Sequence, residues 1–419
     1  MRNLFRGLFF LAIITIFSSC TIFRALKYGN PAIDDYKIFE QDTVEKSNTT
    51  FSFIELTKNK RILDTLKLDI YQARKHSFQK MTLDESINYI QKPAGAIIIK
   101  DDTIVYEYYS GGLNKQSQTT IFSVTKTITA LLCGVALKEG YIHSLTDPVT
   151  IYIPELKEKD SLFSQLTIEH LLDMSAGLKF NESYSWNPFS KMAQLYYGNN
   201  SLRTICGMKF ANVPGSKYHY DSMTTAILGI LIERATGISY AKYLSEKIWK
   251  PLGMEQSASV SLDSKKHHTA KSYAGLTTNV RDLAKIGRLY LHKGNWRGKQ
   301  IVDTTYIERS LSKNFVGQNH GPYSYGWYWG TTDYKNFTDL DSLYKFYENI
   351  PNIEVCGAKK DRTAGEYKAV LHRGGFWAYG LFGQVLYINT KKNYIAVFLG
   401  ADRIEEYYNI FDRLFEINF

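Results

Sequence analysis

Cysteine is scarce: the chain has four in 419 residues, one of them at position 20, directly behind an apolar N-terminal stretch. The other three, Cys133, Cys206 and Cys356, are odd in number and widely spaced, which excludes a disulfide framework. No histidine–cysteine cluster has zinc spacing, so no metal is expected. His267 and His268 are adjacent and read as a solvated turn, while His143, His170 and His320 stand alone and read as structural. No His–Asp pair suggests itself as a serine activator. A long basic run is also missing. The net charge of +10 comes from scattered lysines, which suits solubility and attraction to anionic surfaces and argues against a nucleic-acid partner. There are no internal repeats and no low-complexity tracts. The longest N-terminal apolar run, Leu8–Phe17, is too short to span a bilayer comfortably.

What is present centres on Phe122–Gly140, FSVTKTITALLCGVALKEG. Ile128, Leu131, Leu132, Val135 and Ala136 recur at steps of three and four, which predicts a helix with one buried side and Cys133 within it. Gly140 stands where a left-handed cap costs little. Ser123 then falls in the first turn, near unpaired N–H groups, with Lys126 one turn on. A hydroxyl beside an amine is a candidate nucleophile with its own base. The spacing alone is weak. It recurs at Ser77/Lys80, Ser239/Lys242, Ser310/Lys313 and Ser342/Lys345, and an N-terminal serine can simply satisfy backbone donors. Ser123 is favoured because its helix is the most apolar and follows two strand-like runs, Gly95–Lys100 and Thr103–Tyr109. The 31 tyrosines fit an aromatic-lined cleft and a strand-rich core equally well.

Met1–Cys20 reads as a targeting segment. It has Arg2 and Arg6 at its start, the apolar Leu8–Phe17, then Ser18-Ser19-Cys20. This resembles a bacterial lipoprotein signal. The resemblance implies removal of residues 1–19, lipidation of Cys20, and a place in the cell envelope facing the periplasm or the outside. Residues 20–80 read as a tether and wrapping segment. Residues 81–142 and 271–419 are expected to form a sheet-and-helix domain, with 143–270 a mostly helical insertion. Helices are expected at Leu83–Gln91, Leu166–Met174, Met223–Ala235, Ser239–Trp249, Val280–Lys293, Asp303–Leu311 and Arg403–Phe415. Strands are expected at Tyr325–Gly330, Ser342–Glu348, Tyr367–His372, Phe376–Ile388 and Tyr394–Gly400. The sheet would draw on both ends of the chain, and a ligand would bind between it and the helices.

The order of motifs is similar to that of the serine β-lactamase-related hydrolases, which include class C β-lactamases, DD-peptidases, esterases and 6-aminohexanoate-dimer hydrolases. Phe122–Lys126 is followed by LTIEHLLDMSAGL at 166–178, Pro214-Gly215, YHYDS at 218–222, GLTT at 275–278, Arg281-Asp282-Leu283-Ala284, Gly326-Trp327-Tyr328-Trp329 and Gly383-Gln384. The resemblance covers roughly residues 85–415. It implies an α+β fold of the β-lactamase/transpeptidase type: a mainly antiparallel sheet flanked by N- and C-terminal helices, plus a mostly helical domain. It also implies acyl-enzyme chemistry. No cofactor is expected, the substrate is expected to be a small-molecule or peptide amide or ester, and the chain is expected to be a monomer. Ser123 is the implied nucleophile, Lys126 its base, and Tyr220 the tyrosine of a Tyr-x-Asn motif. A buried lysine near a phenol can titrate towards neutrality.

The pattern departs in two places. Ser222 replaces the asparagine, and a serine is expected to be too short to span the same gap. This points towards the aminohexanoate-hydrolase branch and away from a dedicated β-lactamase. The Lys-Thr-Gly strand is missing. Either His372-Arg373-Gly374 or Ala378-Tyr379-Gly380-Leu381 replaces it, and the second is preferred. The resemblance then implies that the N–H of Leu381 joins that of Ser123 as an oxyanion hole, with Gly380 clearing the approach. Arg373 would meet a substrate carboxylate or pair with a surface acid. A non-catalytic envelope-binding module and a penicillin-interactive enzyme are the competing readings.

Overall fold

The computed structural model describes residues 21–57, 61–72, 77–90, 94–183, 187–312, 323–339, 341, 342, 345, 354–360 and 367–400. Met1–Cys20, residues 317–321 and the expected helix Arg403–Phe415 lie outside the described residues. The chain is α+β and clusters into two units. The first comprises Met1–Thr50, Gln118–Thr278 and Trp296–Gly326; the second comprises Phe51–Ser117, Asn279–Asn295 and Trp327–Phe419.

The first unit is mostly helical. Its long helices are Thr125–Lys138 and Ser222–Thr236, and they pack on each other. Both are apolar on nearly every side, so both are buried along most of their length. The expected Ser239–Trp249 helix is present as Tyr240–Leu244, ending in a π-helical stretch, Ser245–Trp249. A small antiparallel sheet of four strands runs in the order Gln41–Val44, Ala258–Ser261, Leu276–Thr278, Thr119–Thr120. Its last strand leads directly to Ser123. The Ile121 N–H donates to Leu276 O at 2.9 Å, and Leu276 N–H donates to Thr125 Oγ1 at 3.2 Å. The chain around Ser123 is therefore fastened on both sides. This stretch, expected with the sheet domain, clusters with the helices instead.

The second unit holds the larger sheet. Tyr394–Gly400 pairs antiparallel with Ala94–Lys100 and with Gln384–Asn389, so the two ends of the chain meet in one sheet. Ala94–Lys100 pairs onward with Thr103–Tyr109, and Gln384–Asn389 with Tyr367–Gly380. Trp327–Phe337 and Glu354–Lys360 also pair with Tyr367–Gly380. One face packs on Leu83 and Ile87 of the helix Leu83–Ile90 through Ala96, Ile98, Tyr106, Tyr387 and Phe398. On the sheet also lies the helix Val280–Leu291, where Gly287 lets Ile395, Ile388 and Leu386 come close. Three expected strands differ. Tyr367–His372 runs on through Phe376 as the single strand Tyr367–Gly380. Phe376–Ile388 is two strands, because Leu381–Gly383 turns through left-handed backbone at Phe382 (φ 63°) and Gly383 (φ 74°). Most of Ser342–Glu348 lies outside the described residues, and the described Ser342 and Lys345 are helical.

Candidate active site

Ser123 sits in a short 3-10 turn, Phe122–Val124, one step before the helix Thr125–Lys138. Phe122 enters that turn with φ 45°, a left-handed backbone that a bulky residue adopts only when its surroundings hold it. Here its ring is buried, 2% exposed. The strained corner aims the serine while the helix carries Lys126 back towards it.

Lys126 is 1% exposed, and its Nζ has three oxygen partners: Ser123 Oγ at 2.8 Å, Ser222 Oγ at 3.0 Å and the carbonyl of Tyr273 at 3.1 Å. Burial pulls its pKa down to about 8, against the opposing pull of Glu182 and then Asp221. Tyr220 covers the amine, with Nζ 5.1 Å from its ring centroid, and the ring meets Tyr323 edge to face at 5.2 Å.

The segment bearing Tyr220 is held by the two motifs that precede it. Gly215 N–H donates to Ser175 O and His219 N–H to Met174 O, each at 2.8 Å. Gly215 has φ 81°, and a Cβ there would lie 2.6 Å from the His170 ring. His170 in turn closes a capping box with Thr167 at the start of Ile168–Leu172. Asp221 caps the next helix through Thr224 N–H at 2.6 Å, and burial raises its pKa to about 6.

Ser222 does reach the amine, contrary to the expectation that a serine would be too short. It is the first residue of the helix Ser222–Thr236 and fully buried. Glu182 fixes it from behind, accepting its N–H at 2.7 Å and its O–H at 2.6 Å. Glu182 was not anticipated as a site residue. It lies in the irregular stretch 181–183, forty positions from Ser222, and no spacing rule connects the two. Ser123, Lys126, Tyr220 and Ser222 are thus together. Gly380 and Leu381 belong to the second unit, at the end of the strand Tyr367–Gly380 and the start of the turn Leu381–Gly383. His372 and Arg373 lie in that same strand, and their side chains fall outside the described residues. Among the described residues no cluster of His, Cys, Asp and Glu could hold a metal ion.

The family model described as Beta-lactamase matches residues 90–407. A 6-aminohexanoate-dimer hydrolase of Paenarthrobacter ureafaciens is 26% identical over 233 residues, covering 52% of this chain and 56% of that protein. Protein flp of Staphylococcus aureus (strain COL) is 25% identical over 259 residues, covering 55% and 51%. The chain thus spans about half the length of these curated relatives. A solved structure from Bacillus anthracis, assigned provisionally as a 6-aminohexanoate-dimer hydrolase, aligns with TM-score 0.71 at 21% identity over 92% of each chain, a likeness of fold.

Proposed function

The chain belongs to the Beta-lactamase family, and we propose that it cleaves an amide or ester through an acyl-enzyme on Ser123. The observation that carries this reading is the buried Lys126 amine, 2.8 Å from the Ser123 hydroxyl. An amine that titrates near pH 8 is neutral in part of the population at physiological pH, so it can accept a proton.

The hydrogen-bond pattern supports one direction for that amine. Ser222 has one hydroxyl hydrogen and gives it to Glu182 Oε1, so towards Lys126 it accepts. The carbonyl of Tyr273 can only accept. A neutral lysine has two N–H bonds, and these two partners claim both. Its lone pair is left for the third neighbour, Ser123 Oγ. In the acylation step Ser123 Oγ bonds to the substrate carbonyl carbon and its proton passes to Lys126 Nζ. The tetrahedral intermediate then collapses, and the amine or alcohol leaves with a proton relayed by Tyr220. Water repeats the sequence to release the acid. The Tyr220 ring lies 5.1 Å from the amine and favours the positive charge formed there during attack, and its phenol is the proposed carrier of the proton.

An amidase or esterase is preferred over a dedicated β-lactamase, since serine stands where β-lactamases resemble one another in asparagine. The resemblance of Met1–Cys20 to a lipoprotein signal adds an envelope location with a lipid on Cys20.

An active-site acylating probe and a panel of short esters and D-amino-acid amides test the reading. Labelling is expected on Ser123 and lost in Ser123→Ala, with hydrolysis falling about 10⁴-fold or more. Lys126→Ala and Tyr220→Phe are expected to slow acylation strongly while leaving the fold intact by circular dichroism. Full hydrolysis by Ser123→Ala would refute it.

A further inference from the structure

The helix Thr21–Tyr28 begins one residue after Cys20, and it is two-faced. Ala25 is buried, and the helix packs on Lys191–Tyr197. The Tyr197 hydroxyl donates to Gly29 O at 2.7 Å and ties down the far end. The other face holds Phe23 and Leu26, which are 39% and 50% exposed, with Lys27 beside them at the next helical step. The helix contains two cations, Arg24 and Lys27, and no acid. Arg24 also lies over the Phe39 ring at 5.4 Å, and with Lys37 and Lys265 it lines an open cavity of about 480 Å³. Glu40 and Asp263 stand in the same wall, but the Asp263 carboxylate is occupied by the N–H groups of Ser201, Ser264 and Thr269. Lys37 has an exposed ion-pair partner, Asp34, at 3.4 Å, a weak tie, and its amine lies 5.7 Å from the Tyr36 ring centroid.

We propose that this helix is a membrane-contact surface. It lies in the headgroup layer of an anionic bilayer with Phe23 and Leu26 inserted, and Arg24, Lys27, Lys37 and Lys265 facing lipid phosphates. The inference rests on the envelope reading given above. The chain outside the described residues identifies the occupant. Consecutive Cα atoms are about 3.8 Å apart, so a bilayer that holds Cys20 holds residue 21 at its surface with no slack. An apolar pair flanked by cations is the composition that partitions into such an interface. A lipid tether alone fixes position; this second contact fixes orientation.

The experiment uses the full chain extracted from membranes of the expressing cell and reconstituted into phosphatidylcholine vesicles with and without phosphatidylglycerol. Mass spectrometry of the N-terminal peptide reports separately whether Cys20 carries lipid. Phe23→Trp and Leu26→Trp each add an emission component over the parent protein, and lipids brominated along the acyl chain report its depth. Quenching of the added component is expected, stronger with phosphatidylglycerol and reduced about threefold by Lys27→Glu with Lys265→Glu. Quenching without lipid on Cys20 upholds the surface and removes the anchor. Lipid on Cys20 with no quenching in sedimented vesicles overturns the surface and leaves the anchor. Emission already shifted to the blue and unchanged by vesicles means that Leu8–Phe17 covers the face, which also overturns it. No binding to either vesicle overturns it as well.

Discussion

At the Lys126 amine, charge and direction are set by different neighbours. Burial drives the pKa down, and the nearby Glu182 carboxylate resists that drive. The same carboxylate takes the Ser222 hydrogen and so, in the proposed mechanism, orients the lone pair. Glu182→Gln separates the two effects. Its amide can donate to Ser222 Oγ, which frees the serine hydrogen to turn towards Lys126 and spoils the orientation. We predict that kcat falls roughly 10–100-fold. The proposed role of Lys126 predicts that in the parent protein kcat/KM rises with pH through about 8, as the amine loses its proton. Without the carboxylate the lysine gives up its proton more readily, so the rise moves to lower pH. A merely structural loss would lower the whole profile and leave the limb in place, which a pH series of kcat/KM distinguishes. The Ser123–Lys126 contact was legible in the sequence not from the three-residue step, which recurs, but from the apolar helix that follows it and from the order of motifs around it. Glu182 was not, because it acts through a loop and the start of a distant helix.

Elements position these side chains, and one close approach matters most for the helix Thr125–Lys138. Gly326 has φ 90°, and a Cβ there would lie 2.5 Å from Thr127 Cα. Its carbonyl accepts from Thr127 Oγ1 at 2.6 Å. Thr127 is the neighbour of Lys126. Gly326→Ala therefore pushes on helix backbone that cannot yield, and adds left-handed strain. We predict a loss of about 3 kcal/mol, read as a fall of several degrees in Tm, with activity reduced beyond what unfolding explains. Gly140→Ala is the control. Gly140 also has positive φ, but a Cβ there meets nothing within 4 Å. It should cost about 1 kcal/mol and leave kcat unchanged. The Gly140 cap could be read from the sequence because it ends an apolar period. The turn at Leu381–Gly383 could not, since the residues on both sides are equally apolar and strand-forming, and the left-handed backbone at Phe382 and Gly383 is what divides them.

Across the molecule, the two units treat buried charge in opposite ways. That strands from both ends of the chain share a sheet was legible from the apolar runs at 94–109 and 394–400. That residues 279–295 go with this sheet was expected too, but that Arg281 reaches Glu107 and Glu55 there was not legible, because ion pairs leave no periodic trace. In the sheet unit, Arg281 is 6% exposed at its side chain and holds Glu107 through two bonds of 2.7 Å and Glu55 through one of 2.6 Å. Burial alone would raise the Glu107 pKa, but Arg281 brings it below the usual value. Glu107 thus contributes stability that is present above the unfolded carboxylate range and is lost as pH falls through its folded value. In the helical unit, burial raises Asp221 to about 6 and Glu233 to about 7. Their folded forms take up protons first, so acid relieves a cost there between those values and the unfolded range near 4. We predict that acidification to about pH 3 to 4 loosens the sheet unit before the helical one. Hydrogen exchange should rise at Thr103–Tyr109 and Val280–Leu291, roughly tenfold for each 1.4 kcal/mol lost. Thr125–Lys138 and Ser222–Thr236 should stay protected. Arg281→Met should bring forward the loss in the sheet strands, because it leaves Glu107 buried without its partner, and should leave the two helices as they were. Equal loosening of all four segments along the titration would show that these buried charges do not set the order in which the fold yields.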